Sequence, residues 1–339
     1  MQVSTGGSEE RPLLTIAIPT YNRSKYLRQL LDSLRVQIRG QNDVSLLISD
    51  NASDDGTQRV VEEERDSGTT LDYVRNKENL GAEANFLQCY ERATGKYLWI
   101  ISDDDLLRPG TVEIVLSFLR KDEYDLVFIE EAGFAGDPAE MLPKASSMRA
   151  TVCTHAEQFL RRVHIFTTLI SCNIINKDRV EAIGHKPFST LMNSGLPQLG
   201  WTFTALRYHR KSLYIPDKLV YYRLANAGGY GVCQVFGTLL EQVTREWLAI
   251  PRLNDIVVNA SLQRQLPAFI VASRKRALGA FTKEDPHALL SGMFRNNFRY
   301  WLFIYPLVVL PARIAQVWLQ FIRVFNRIDR AFGYPSLSW

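Results

Sequence analysis

The sequence predicts an α/β protein with a doubly wound, mostly parallel β-sheet flanked by helices, followed by a helical C-terminal extension. Short apolar runs alternate with helical patterns of ten to fifteen residues through about the first 130 positions. Polar loops follow several of these apolar runs, which is typical of the carboxyl ends of parallel strands. From residue 234 onward only helical patterns remain.

Each predicted strand in the first half is a short apolar run that ends in a polar or glycine-bearing loop. These runs are 13–18, 44–48, 71–74, 97–101 and 125–129. Amphipathic helices separate them, as the spacing of Leu27, Leu30, Leu31 and Leu34 illustrates. Such alternation favours parallel strands joined by right-handed crossovers. A loop with no clear period spans 132–151.

Composition and charge narrow the class of protein. The chain has 339 residues and a net charge of +4, which is ordinary for a globular protein. Its four cysteines are widely spaced and show no metal-ligand pattern, which favours buried thiols in a reducing compartment. We see no secretory leader and no apolar stretch of about 18 to 20 residues, the length of a membrane span.

Three consecutive aspartates, Asp103, Asp104 and Asp105, follow the buried run 97–101. Like charges packed together need compensation, and a hard divalent cation with oxygen ligands would provide it. The alternative is a solvated acidic loop before a helix. The aspartates alone do not decide between these two interpretations.

Three polar loops, at 19–23, 49–56 and 102–105, are expected to converge at one edge of the sheet. A carboxylate such as Asp50 can accept from a base N–H, whereas Thr20, Asn22 and Arg23 can reach base or phosphate groups. Neither GxGxxG nor GxxxxGK[ST] occurs, so a dinucleotide dehydrogenase and a P-loop NTPase are unsupported.

Four segments in this order, 18–23, 48–57, 79–81 and 102–105, resemble family 2 glycosyltransferases of the GT-A fold. Weaker similarity through 169–183 and 219–223 resembles the bacterial O-antigen abequosyltransferase branch. The resemblance implies a nucleotide-sugar donor and a divalent metal, Mg²⁺ or Mn²⁺. It also implies the following nucleotide-binding residues: Pro19, Thr20, Tyr21, Asn22, Arg23, Asp50, Asn51, Asp54, Asn79, Gly81, Asp103 and Arg223.

The same resemblance implies a metal ligand at Asp104 and a ribose contact at Asp103, with Ser102 at the first position of the DxD motif. Asp104 and Asp105 are the expected catalytic acidic residues of this loop. Arg223 and the loop 226–229 match a segment that closes over the diphosphate. The region 193–199, where related enzymes carry a general base, has no carboxylate.

The nearest substitute for that base by position is Glu130, beside Glu131. Alternatively, Glu130 and Glu131 are ordinary solvated charges at the end of a strand. The resemblance further implies a catalytic domain over 1–232, with a nucleotide-sugar half at about 12–130 and an acceptor half at about 131–232. Residues 233–339 form the predicted helical region.

We therefore expect sugar transfer to a polyprenyl-diphosphate-linked glycan in surface polysaccharide synthesis, with no nucleic acid partner. A sugar nucleotidyltransferase and a non-catalytic nucleotide-sugar-binding protein are the alternatives. Release of a nucleoside diphosphate rather than pyrophosphate would separate the first two.

The last forty residues are basic and aromatic, and their apolar run 300–312 is too short to span a bilayer. We expect a peripheral protein at the cytoplasmic face of the inner membrane, with Trp301, Phe303, Ile304 and Trp318 at the headgroup boundary. The alternative is a tail that packs on its own domain or forms a homo-oligomer through the C-terminal helices.

Overall fold

The computed structural model describes residues 11–134, 149–224, 229–274 and 282–331. One mixed sheet of nine strands forms its centre. The strands are β1 Leu14–Thr20, β2 Val44–Asp50, β3 Asp72–Arg75, β4 Tyr97–Ile100, β5 Leu106–Leu107, β6 Leu126–Phe134, β7 Thr151–Cys153, β8 Asn173–Asn176 and β9 Ser212–Arg223.

The strand order is β3-β2-β1-β4-β8-β6-β9-β5, and β7 pairs with β9. The first four strands of this order run parallel, as predicted. β8 is antiparallel to both of its neighbours, β4 and β6, whereas β6 and β9 are parallel. The first side of the sheet, β3-β2-β1-β4, is therefore parallel, and the second side, β8-β6-β9-β5, is mixed.

Helices cover the sheet and then continue as a C-terminal layer. They are α1 Ser24–Ile38, α2 Thr57–Asp66, α3 Ala82–Arg92, α4 Thr111–Lys121, α5 Ala156–Val163, α6 Lys177–Ile183, α7 Leu199–Arg207, α8 Leu240–Val243, α9 Pro251–Ala260, α10 Leu266–Arg274, α11 Pro286–Phe294, α12 Tyr305–Val309 and α13 Ala312–Ala331. Among the described residues, no helix is long and apolar enough to span a membrane.

The larger hydrophobic core lies between the sheet and its helices, and it extends into α8 and α9. A second, smaller core joins Leu262, Leu266 and Ile270 to Phe303 and Leu307. The C-terminal helices therefore bury their own apolar faces against each other. All four cysteines are buried and free, as the sequence predicts.

Strand β6 is longer than predicted and carries a bulge between Ile129 and Glu131. Glu130 and Glu131 consequently lie inside the strand and are buried, so their interpretation as solvated strand-end charges is wrong. Residues 135–148 of the predicted loop 132–151 lie outside the described residues.

The sequence predicts a helical pattern from residue 254 with an interruption near Pro267, and the interruption takes the form of a change of helix type. A π-helical segment, Ser261–Gln265, precedes this proline, and another, Tyr300–Ile304, precedes Pro306. Proline lacks an N–H and its ring conflicts with the carbonyl one turn earlier, so a widened turn lets the helix continue through it.

The aromatic tail also differs from expectation. Phe303 and Ile304 are buried in the second core, and Trp318 is partly buried with its Nε1 donating to the Leu302 carbonyl at 2.9 Å. Of the four residues expected at a membrane, only Trp301 is exposed. The prediction for Phe303 and Ile304 is wrong because apolar content alone does not distinguish a lipid-facing from a protein-facing position.

Candidate active site

A cavity of about 500 Å³ opens where β1, β2 and β4 end. The loops that follow these parallel strands form its floor, and α3 and the end of β9 form its sides. It contains these predicted site residues: Pro19, Thr20, Tyr21, Arg23, Asn51, Asn79, Gly81, Asp103, Asp104, Asp105 and Arg223. Ser102, at the first position of the DxD motif, also lines the cavity. Sequence reasoning did not single out its other lining residues, which are Ala82, Asn85, Phe86, Tyr222 and Tyr230.

Hydrogen bonds from the β1 loop fix the aspartates. The Thr20 hydroxyl donates to Asp103 Oδ2 at 2.7 Å, and Arg23 Nη1 lies 3.1 Å from both Asp103 Oδ1 and Asp104 Oδ2. The Ser102 hydroxyl donates to Asp104 Oδ1 at 2.5 Å. One guanidinium thus bridges two carboxylates that face the same cavity.

Burial raises the pKa of two aspartates of this loop, Asp103 and Asp105. It raises the pKa of Asp103 to about 6, although Arg23 and Thr20 oppose the shift. Burial, and then the charge of Asp104, raises the pKa of Asp105 to about 8. Asp105 hydrogen-bonds the Ser171 side chain and the backbone of Arg223, so it ties the acidic loop to the start of β8 and the end of β9.

Asp50 is fully buried and does not line the cavity. Its Oδ2 accepts from the Tyr73 hydroxyl at 2.6 Å and its Oδ1 from the Ser53 amide at 2.9 Å, while Arg75 Nε lies 3.5 Å from Oδ2. Both carboxylate oxygens therefore stabilise the loop after β2 from the protein interior rather than from the cavity.

Asn22 and Asp54 join the loops after β1 and β2. The Asp54 amide donates to Asn22 Oδ1 at 2.8 Å, and the Asn22 amide donates to Ser53 Oγ at 2.9 Å. Asn22 has a positive φ of 51°, a conformation that asparagine tolerates well. Neither residue lines the cavity.

Asn51 connects the β2 loop to the start of α3. Its Nδ2 donates to Asn79 Oδ1 at 2.6 Å and to the Gly81 carbonyl at 3.1 Å, while its Oδ1 accepts from the Leu80 amide at 2.9 Å. These bonds order the cavity wall.

Asn85 is a buried polar residue of α3. Its Nδ2 donates to the Ser49 carbonyl at 2.9 Å and to the Thr20 carbonyl at 3.4 Å, which connects the ends of β2 and β1. Asn85 could have been identified from the sequence, because it places an amide on the inward face of an amphipathic helix.

Arg223 and Glu130, the two remaining predicted residues, differ in their position relative to the cavity. The Arg223 guanidinium stacks between the rings of Tyr26 and Phe134 and donates to Gln29 Oε1 at 2.6 Å, at the cavity side. Glu130 lies on β6 and accepts from the Tyr214 hydroxyl at 2.7 Å; it does not line the cavity. Residues 226–228 of the loop predicted to follow Arg223 lie outside the described residues.

Within the described ranges, no group of three or more His, Cys, Asp or Glu side chains is arranged to hold a metal ion alone. Asp103 and Asp104 nevertheless offer two adjacent carboxylates at the cavity. Mg²⁺ and Mn²⁺ prefer oxygen ligands, and they are commonly held by one or two carboxylates together with substrate phosphates. The donor set fits such a shared site.

A largely parallel sheet with carboxylates at its strand ends and a helical C-terminal layer is the architecture of glycosyltransferases of the GT-A fold. Solved glycosyltransferase structures share the architecture at low sequence identity. S. aureus TarS 1–349 in complex with UDP aligns with a TM-score of 0.56 and 17% identity, over 96% of this chain and 94% of that one. The mannosyltransferase PcManGT from Pyrobaculum calidifontis, solved with GDP-Man and Mn²⁺, aligns with a TM-score of 0.54 and 17% identity, over 94% and 88%.

Residues 15–183 match the model of glycosyl transferase family 2, and the chain belongs to this family. It is 40% identical over 108 residues to the abequosyltransferase RfbV of Salmonella typhimurium. The aligned segment covers 32% of each chain. The chain thus matches about a third of the length of that curated relative.

Proposed function

We propose that this protein transfers a sugar from a nucleotide-sugar donor to a lipid-linked glycan in the synthesis of a bacterial surface polysaccharide of the O-antigen kind. The observation that carries the proposal is the cavity of about 500 Å³ with Asp103 and Asp104 at its floor. Its volume suits a nucleotide sugar. The similarity to an abequosyltransferase supports a polysaccharide product.

In this proposal the loops after β1 and β2 bind the nucleoside and the aspartate loop binds the diphosphate side. Thr20 and Arg23 orient Asp103 for a ribose contact. Asp50 acts indirectly, because its carboxylate holds the β2 loop that carries Asn51. Arg23 and Arg223 supply positive charge as the leaving diphosphate gains negative charge.

Asp104, with Asp103 beside it, would hold Mg²⁺ or Mn²⁺. A bound divalent ion supplies Lewis-acid stabilisation of the departing diphosphate. Because Arg23 Nη1 contacts both carboxylates, it must give up part of this contact when Asp104 accepts another cation.

The acceptor hydroxyl must lose its proton during transfer. We assign Glu130 as the group that takes it, as the sequence suggested. Its hydrogen bond with Tyr214 has to open before Glu130 can reach an acceptor in the cavity. That requirement makes the assignment testable, since the Glu130 side chain must be mobile during turnover.

We further propose that the protein associates peripherally with the cytoplasmic face of the inner membrane through α13. The buried face of α13 includes Ala315, Leu319 and Ile322, which pack into the second core. A neighbouring face exposes four apolar side chains at intervals of three or four residues: Ile314, Val317, Phe321 and Val324. Exposed arginines beside them, Arg313 and Arg323, suit an in-plane helix on anionic lipid.

The donor is tested by thermal melting of the full chain with UDP, GDP, CDP and dTDP, each with and without Mg²⁺. We expect one nucleoside diphosphate to stabilise the fold in a metal-dependent way. Turnover with the matching nucleotide sugar should release the nucleoside diphosphate. Release of pyrophosphate would instead identify a nucleotidyltransferase, and binding without turnover a non-catalytic protein.

Membrane association is tested with Val317→Ser/Phe321→Ser, which leaves the buried face of α13 intact. Deletion of the tail is unsuitable, because residues 300–322 complete the second core. We expect the double variant to keep its nucleotide affinity and to sediment less with anionic vesicles. Equal sedimentation of both proteins would exclude this face from the membrane contact.

A further inference from the structure

Tyr230 connects the nucleotide-sugar cavity to the helical C-terminal region. Its side chain lines the cavity and packs against both hydrophobic cores. The Tyr230 ring lies 6.1 Å from the Phe236 ring, measured between ring centroids. The backbone of Tyr230 is held as well, because its carbonyl accepts from the Thr282 amide at 3.1 Å. A wall residue of the cavity is therefore fixed by residues that lie later in the chain.

Glu284 binds the residues that follow Tyr230. Its Oε2 accepts from the Cys233 amide and its Oε1 from the Gln234 amide, both at 2.8 Å. These amides lie at the start of the π-helical segment Gln234–Leu239, where the N–H groups of the first turn have no partner within the helix. The helix dipole also favours a carboxylate at this end. One side chain from the residues before α11 thus fixes the start of this segment.

Two glycines allow residues 284–290 to approach this segment closely. A Cβ at Gly231 would overlap with Glu284 Oε1, and a Cβ at Gly237 would overlap with Leu290 Cδ2 on α11. Because a carboxylate at the end of a flexible side chain can move, a larger residue at 231 would push Glu284 away from the two amides. The glycine at position 231 is therefore part of the Glu284 contact.

Glu284 can affect a ligand in the cavity only through the segment 230–234, because Glu284 does not line the cavity itself. This segment is held at both ends: Thr282 binds the carbonyl of its first residue, and Glu284 binds the amides of its last two. Without the carboxylate, these two amides lose their acceptor and the segment can shift. A displacement of about 1 Å in a positioning residue is enough to weaken the use of a binding site.

We propose that Glu284 is a positioning residue for donor binding, which holds Tyr230 at the cavity wall so that the Tyr230 ring contacts the nucleotide sugar. The inference rests on the proposed function for the identity of the ligand. It assigns the C-terminal region a part in donor binding, which is separate from the proposed membrane contact of α13.

The test compares Glu284→Ala with Asp285→Ala in the full chain. Asp285 is the matched control, because its Oδ1 accepts from two backbone amides, those of His287 and Ala288, at the start of α11 and outside the cavity. Each variant loses one carboxylate and two amide hydrogen bonds, so each should lower the melting temperature by about 2 °C. Gly231→Ala displaces the Glu284 carboxylate without removing it and tests the same contact a second time.

We expect Glu284→Ala to raise the donor KM about fivefold at unchanged kcat, the effect of losing an interaction of about the strength of one hydrogen bond. Gly231→Ala should raise KM in the same way, and Asp285→Ala should leave it unchanged. A role in stability alone would lower the amount of active enzyme, and so the apparent kcat, but not KM. Tyr230→Ala should also raise KM, and adding Glu284→Ala to it should cause no further rise, because Glu284 acts through Tyr230.

An unchanged donor KM in Glu284→Ala, or an equal rise in Asp285→Ala, would overturn the positioning role. Additive effects of Glu284→Ala and Tyr230→Ala would also overturn it, because they would show that Glu284 does not act through that ring. If Glu284→Ala does not fold, the same comparisons with Gly231→Ala decide. An unmodified protein that releases no nucleoside diphosphate would refute the proposed function together with this role of Tyr230, whereas an active protein with an unaffected Glu284→Ala variant would refute the inference alone.

Discussion

Replacement of Asp104 by asparagine tests the centre of the proposed site. Asp104 accepts from the Ser102 hydroxyl at 2.5 Å and from Arg23 at 3.1 Å. In Asp104→Asn the remaining oxygen can still accept from Arg23, and the new amide can donate to Ser102 Oγ. The Arg23 side chain is 36% exposed, so the lost ion pair costs less than about 1 kcal/mol of stability.

Turnover should respond far more than stability. A neutral amide oxygen is a weak ligand for a hard divalent ion and provides no charge at the diphosphate. Loss of one such transition-state interaction lowers kcat about 100-fold or more, which corresponds to about 2.7 kcal/mol. We also expect nucleotide binding to lose its dependence on Mg²⁺.

The assay is release of nucleoside diphosphate at saturating donor over a Mg²⁺ titration, with calorimetry of the nucleotide in Mg²⁺ and in EDTA. Asp72→Asn is the matched control, because Asp72 is exposed on β3 and outside the cavity. A folded Asp104→Asn protein with kcat within about threefold of the unmodified protein would refute the reasoning.

Three further predictions concern stability and proton transfer. Glu64→Gln should lower the free energy of unfolding by about 1–2 kcal/mol at pH 7. Burial raises the pKa of Glu64, but hydrogen bonds, chiefly from Arg35, outweigh burial and hold the pKa below its usual 4.5. The Glu64 carboxylate therefore stabilises the fold only above that pH. In urea melts the difference in stability between Glu64→Gln and the unmodified protein should vanish as the pH falls below 4.5. Gly95→Ala should destabilise by about 1–3 kcal/mol because its Cβ would lie 2.5 Å from the Thr15 amide nitrogen, whereas Gly292→Ala has open space and should not lower the melting temperature. Glu130→Gln should lower kcat about 100-fold at unchanged donor KM, and an unchanged kcat would remove Glu130 as the proton acceptor.

The sequence predicts the first side of the sheet well, and the physical reason is local. Strands β1, β2 and β4 are buried along most of their length, so each is a largely apolar run, and polar, turn-forming residues follow it. The convergence of their loops follows from parallel pairing alone. For that reason Thr20, Arg23 and the three aspartates are identifiable before any coordinates are known.

The second side of the sheet is not predictable in the same way. Strand β8 is only four residues long, with asparagine at both ends, and its antiparallel position is set by partners far away in the chain. Asn85 likewise depends on the Ser49 and Thr20 carbonyls, which only the folded sheet brings together. The burial of Phe303 and Ile304 could not be predicted either, because the sequence alone does not distinguish a buried apolar side chain from an exposed one.

The insertion of β8 between β4 and β6 has a consequence for biosynthesis. A ribosome delivers β4 and β6 well before residues 173–176, yet in the folded protein these two strands do not pair with each other. Until β8 emerges, the facing edges of β4 and β6 carry unpaired backbone groups that can pair wrongly or with another nascent chain. A stalled chain that ends near residue 150 should therefore remain protease-sensitive, and resistance should rise abruptly once residue 176 has left the exit tunnel.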